Sequence, residues 1–170
     1  TLRDERRHIL ELRGRLGGAK PYGDSDQVPL FDRFYAGGRD TIRGFAFGTV
    51  GPRAEGNPNT NKGRKKIARS LEDGTGDPMG GETLWLARAQ YGFPLYDQFL
   101  RGVVFVDAGN VADNWSTNLW SKSRVAAGFG VRVKLPFFGP TPIAFDFAWP
   151  LRDEMGDDTQ VISFSIDRPF

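Results

Sequence analysis

Near its end the chain alternates with a period of two, Ile162, Phe164 and Ile166 against Ser163, Ser165 and Asp167. Successive side chains face opposite ways only in a strand, so this pattern requires a sheet with one apolar face. It recurs twice upstream. Ile143, Phe145, Phe147 and Trp149 oppose Ala144, Asp146 and Ala148, and Val125, Ala127, Phe129, Val131 and Val133 oppose Ala126, Gly128, Gly130 and Arg132. Less regular segments at 7–16, 83–93 and 102–108 bring the expectation to about six strands. In the first of them Leu10, Leu12 and Leu16 oppose Glu11, Arg13 and Arg15. With 22 Gly, 11 Pro, 14 Phe and 4 Trp among 170 residues, the chain is expected to be all-β.

The connections alternate in length. Pro94 to Leu100 and Pro136 to Thr141 are short, whereas the stretch of about 60 residues after Gly17, Asn110 to Lys122 and Leu151 to Gln160 are longer and polar. Short turns at one end of a sheet and long loops at the other are the arrangement of outer-membrane barrels. Such a barrel turns bulky apolar side chains to lipid and small, polar or charged ones to its lumen. A soluble β-sandwich alternates in the same way, so alternation alone leaves both architectures open. The long loop favours the barrel, as does the aromatic Phe170 directly behind the last alternating segment. A mean hydropathy of −0.43 is no objection, because barrel strands dilute their apolar residues to every second position. No window reaches the roughly 18 apolar residues of a spanning helix.

Several chemistries are excluded by what the chain lacks. It has no Cys and a single His, His8, so it has no thiolate catalysis, no disulfides and no multi-histidine metal site. Asp107 and Asp146 form a conceivable carboxylate pair, but no nucleophile and base accompany them, and lumen-facing structural acids are the simpler reading. No enzyme and no cofactor are expected. A net charge of +2, from 23 basic and 21 acidic residues, gives no field to draw nucleic acid. Lys62, Arg64, Lys65, Lys66 and Arg69 read as a solvated loop tip, and Asp153, Glu154, Asp157 and Asp158 as a solvated turn.

Residues 31–53, FDRFYAGGRDTIRGFAFGTVGPR, resemble the sixth extracellular loop of the BamA and TamA superfamily of outer-membrane barrels, which also includes two-partner secretion transporters and organelle relatives. The resemblance rests on the lead Phe34-Tyr35-Ala36-Gly37-Gly38, the core Ile42-Arg43-Gly44-Phe45 and the exit Gly51-Pro52. It continues through Gly80-Gly81-Glu82, the run from Phe105 to Val111, Gly128-Phe129-Gly130, Gly139-Pro140 and the final strand. It implies one barrel unit over residues 1–170: an antiparallel up-and-down meander forming the C-terminal part of a barrel of about sixteen strands. Ten strands and soluble periplasmic repeats would precede it. The implied location is the outer membrane of a Gram-negative cell.

The resemblance also implies roles. The long signature loop, about 18–80, would fold into the lumen, where Arg43 needs a carboxylate because an unpaired charge removed from water is costly. By resemblance that partner is Asp107. Gln90 stands where relatives often carry a second acid; it can accept a hydrogen bond but adds no charge, so the anchor would rest more heavily on Asp107. Gly37, Gly38, Ile42, Gly44 and Phe45 complete the loop signature. The last strand, 161–170 with Ile162, Phe164, Ile166 and Phe170, would form a seam that templates client strands, with Pro169 weakening its final pairing. The implied activity is insertion and folding of outer-membrane proteins, and the lead favours the BamA type. The implied partners are client outer-membrane polypeptides, the lipid bilayer with its lipopolysaccharide, and accessory lipoproteins. A polypeptide-secretion pore, of the two-partner or autotransporter assembly type, or a passive porin is the alternative.

Overall fold

The computed structural model describes residues 8–23, 28–53, 77–96, 99–113, 120–134, 142–154 and 156–166. In chain order the strands are β1 (Ile9–Gly18), β2 (Gly44–Phe45), β3 (Thr83–Tyr96), β4 (Leu100–Ala112), β5 (Arg124–Val133), β6 (Ile143–Arg152), β7 (Thr159–Gln160) and β8 (Ile162–Ile166). Six of them form one sheet in the order β1-β3-β4-β5-β6-β8, with every neighbouring pair antiparallel. This is the expected up-and-down meander. The short strands β2 and β7 pair in a separate ribbon.

The strands at 83–93 and 102–108 both extend beyond their alternating cores. β3 continues through Pro94 to Tyr96, with a register shift there against β4. Proline has no N–H to give a ladder, and a bulge is where a strand tolerates it. β4 continues through Gly109 and Asn110 to Ala112, because its pairing with β3 persists where the sequence loses its apolar rhythm. Of the expected last strand, Ile162, Phe164 and Ile166 lie in β8, opposite Phe147, Phe145 and Ile143. Pro169, Phe170 and the basic run from Lys62 to Arg69 lie outside the described residues.

Register sorts the side chains by face. One row crosses all six strands as Leu10, Tyr91, Val104, Phe129, Phe147 and Ile162, every member apolar or aromatic. Phe129 stacks on Phe147 at 5.5 Å between centroids, and Phe145 meets Phe164 at 5.1 Å. This face is open, with Phe145, Trp149, Ile162, Phe164 and Ile166 all exposed. A neighbouring row on the opposite face reads Arg13, Arg88, Asp107 and Ala126. A sandwich would bury its apolar face. Here the chain packs on the polar face instead, which is the lumen side of a barrel wall.

The core lies beneath the signature loop. Ala36, Ile42, Phe45 and Val50 of the loop pack against Leu84 and Leu86 of β3, Val111 of β4 and Ala126 of β5, all buried. Small residues leave room for them. A methyl group at Gly109 would stand 2.6 Å from Leu86 Cδ2 and 3.2 Å from Ile42 Cδ1. The glycines that interrupt the strand pattern therefore shape a seat.

Candidate functional site: the seat of the signature loop

The loop reaches the wall through a tight reversal. Thr41 N donates to Gly38 O at 3.2 Å, Thr41 Oγ1 to Gly37 O at 2.8 Å, and Gly38 N to Phe45 O at 2.8 Å. Gly37 and Gly44 sit at φ of 102° and 91°, a left-handed region in which a side chain is strained. At Gly44 the backbone also lies so near the wall that a Cβ would meet Ala126 Cβ at 3.2 Å and Ala148 Cβ at 3.4 Å. Ile42 and Phe45 are buried on either side of Arg43 and Gly44. Their burial fixes the height at which Arg43 meets the sheet.

Arg43 is 2% exposed and Asp107 0%. Arg43 Nε donates to Asp107 Oδ2 at 2.7 Å and Nη2 to Oδ1 at 2.8 Å, a two-pronged pairing, and the Arg43 backbone N–H also donates to Oδ2 at 3.1 Å. Its remaining prong, Nη1, donates to Gln90 Oε1 at 2.9 Å. The guanidinium carbon stands 3.4 Å from the centroid of the Phe105 ring, so the cation also rests on an aromatic face. A desolvated guanidinium is tolerated where its donors are met in good geometry, as they are here.

With Gln90 at this position, Asp107 takes three of the hydrogen bonds that Arg43 donates, and a second negative group stands nearby. Asp146 on β6 places Oδ2 3.7 Å from Arg43 Nη1 and accepts from Arg132 Nη1 at 2.7 Å and Nη2 at 3.0 Å. Arg88 Nε stands 3.4 Å from Asp107 Oδ1, and its Nη1 and Nη2 donate to the loop carbonyls of Asp40 and Arg39 at 3.3 and 3.1 Å. Among the described residues the network joins three guanidiniums, Arg43, Arg88 and Arg132, to two carboxylates, Asp107 and Asp146. Gln90 thus adds an acceptor where the wall supplies charge from another strand. The lumen-facing positions of the two-residue period already marked Asp146 and Arg132, while Arg88 on β3 was not singled out. Their convergence was invisible because the three strands meet only through the sheet register.

The turn after β6 also differs from expectation. Asp157 is not solvated: its side chain is 1% exposed and accepts from Arg124 Nε at 2.8 Å and Nη2 at 3.0 Å. Arg124 Nη1 reaches Asn110 Oδ1 at 2.6 Å and Lys122 O at 3.0 Å. Asp153 and Asp158 are exposed. No metal-binding cluster of acids or histidines occurs among the described residues.

The architecture has counterparts. Residues 1–170, the whole chain, match the Omp85 superfamily domain. The chain belongs to the Omp85 superfamily. It is 26% identical to the outer membrane protein assembly factor BamA of Neisseria meningitidis serogroup B, covering 95% of this chain and 22% of that protein. It is 27% identical to BamA of Nitratidesulfovibrio vulgaris over 90% of this chain and 17% of the relative. A SAM50-like protein of Drosophila melanogaster is 23% identical over 88% of the chain and 30% of its own length. The crystal structure of BamA from Haemophilus ducreyi lacking POTRA domains 1–3 superposes with a TM-score of 0.73 at 25% identity, covering 96% of this chain and 32% of that one. The chain spans about a fifth of the length of the two BamA relatives. This Omp85 chain is a segment of outer-membrane β-barrel wall, and the open apolar face is its lipid face.

Proposed function

We propose that this Omp85 chain serves as part of an outer-membrane protein assembly factor that inserts and folds client β-barrel polypeptides, with its signature loop held in the lumen through Arg43. The observation that carries this reading is the buried, two-pronged Arg43–Asp107 pairing within the signature loop. The loop thereby becomes a fixed part of the lumen wall, and a wall of fixed shape beside a strand edge suits guided strand addition. The names of the bacterial relatives, assembly factors of outer-membrane proteins, point the same way. Its partners on this reading are unfolded outer-membrane polypeptides, lipid with lipopolysaccharide, and accessory lipoproteins. It needs no cofactor and performs no bond chemistry. β8 pairs with β6 on one side and would offer its other edge to the seam.

The test uses the full-length protein in cells depleted of their resident assembly factor. Arg43→Glu should lower the level of folded outer-membrane barrels several-fold, and adding Asp107→Arg should restore part of it. No restoration, with both proteins inserted at parental levels, would count against the pairing. Cysteines on the first and last strands should crosslink to each other and to client chains. Crosslinks confined to the barrel itself would instead favour a secretion pore.

A further inference from the structure

The Arg43 side chain is held by the wall, but the backbone beside it is held by something else. Gly44 and Phe45 pair with Gln160 and Thr159, and Ala46 N donates to Asp158 O at 2.8 Å. Thr49 Oγ1 reaches the same Asp158 carbonyl at 3.4 Å. The segment after β6 therefore crosses over the loop and returns to the sheet, where Ala148 N donates to Val161 O at 2.9 Å. A two-residue strand pairing is too small to offset the cost of ordering both segments, roughly 1–2 kcal/mol per residue of backbone. A stronger fixed point is needed nearby.

Asp157 is that point. It lies one residue from the Asp158 carbonyl and is pinned by both prongs of Arg124, whose third prong is held by Asn110 of β4. Asp157 Oδ2 also accepts from Glu154 N at 2.9 Å, and Asp157 N donates to Glu154 O at 3.0 Å, closing the turn on itself. We propose that Arg124 and Asp157 are positioning residues that lock the segment 157–161 as a clasp over the signature loop. The loop then has two attachments, its Arg43 side chain below and its Gly44–Ala46 backbone above. Neither Arg124 nor Asp157 touches Arg43. The clasp holds the loop by shortening the free chain that β7 must order.

This inference rests on the reading of the loop as a fixed element of an assembly factor, but it has a readout of its own. Ala46→Cys and Asp158→Cys, placed opposite each other in the full-length protein in lipid vesicles, form a disulfide at a rate that reports clasp closure; the native 170-residue stretch contains no Cys to interfere. Asp157→Asn and Arg124→Gln should each slow that disulfide by about tenfold, the equivalent of about 1.4 kcal/mol. The double variant should be no slower than either single, because the two residues act as one unit. Asn110→Ala, which removes one partner and leaves the pair, should slow it less. In the Asp157→Asn background, oxidising the cysteine pair should restore assembly activity and reducing it should remove it again. Parental disulfide rates in the variants, with barrels shown folded by heat-dependent gel mobility, would overturn the clasp. So would additive effects in the double variant. If Arg43→Glu leaves assembly intact while Asp157→Asn still slows the disulfide, the reading of Arg43 as the loop's functional anchor falls and the clasp stands.

Discussion

Asp107 receives Arg43 on both carboxylate oxygens, at 2.7 and 2.8 Å, and no exposed surface remains on it. The pairing links residues 64 positions apart, so it forms only when the loop has already returned to the sheet. A lysine would keep the charge but lose the planar fork, the prong to Gln90 and the stacking on Phe105. Breaking a buried pair by removing one partner costs about 3–5 kcal/mol, mostly because the surviving charge stays buried. The pairing therefore acts as a condition on the fold as much as a source of stability.

Gln90 offers a graded test of that network. Gln90→Leu removes the acceptor for Arg43 Nη1 and should destabilise the barrel by about 1–3 kcal/mol in urea unfolding of the full-length protein in vesicles. Gln90→Glu should retain parental stability, because the network carries three guanidiniums against two carboxylates. Glu11 faces position 90 across β1 but already pairs with Arg13, which limits the repulsion. A glutamate as damaging as the leucine would show that charge balance does not govern the seat.

Gly128 tests the fit of the wall. A methyl group there would stand 2.6 Å from Phe105 Cζ and 2.9 Å from Ala148 Cα, and Phe105 is the ring beneath Arg43. Gly128→Ala should cost about 1–3 kcal/mol through overpacking and slow the return of the loop on refolding. Ala127→Val, one position away on the lipid side, should stay within about 0.5 kcal/mol. Equal effects at the two positions would contradict the assignment of faces.

The lipid face gives the third expectation. Phe145 meets Phe164 across the β6–β8 pair on the open apolar side. Phe145→Lys should destabilise the inserted barrel by roughly 2–4 kcal/mol if this position lies near the bilayer midplane. The measurement is again the urea midpoint in vesicles. A change below about 0.5 kcal/mol would place Phe145 in water.

The sheet was legible because a two-residue period is a local property. Ile143 to Trp149 and Ile162 to Ile166 announce their faces without reference to any other part of the chain. Gln90 and Asp107 could be nominated from the resemblance of their surroundings, and the geometry brings both to Arg43. Asp157 was misread, because a cluster of acids in a polar turn looks the same whether it meets water or a buried arginine.

By itself, the sequence determined that this protein makes strands, which side of each strand is apolar, and that a glycine-marked loop carries one arginine between buried apolar neighbours. Only the tertiary structure decided what that arginine meets. Register across β3, β4 and β6 brings Gln90, Asp107 and Asp146 to one place, and the crossing of residues 157–161 covers the loop from the other side. Alternation follows from each strand's own backbone geometry. The convergence of charges depends on how strands far apart in sequence are aligned, and alignment is a property of the whole sheet.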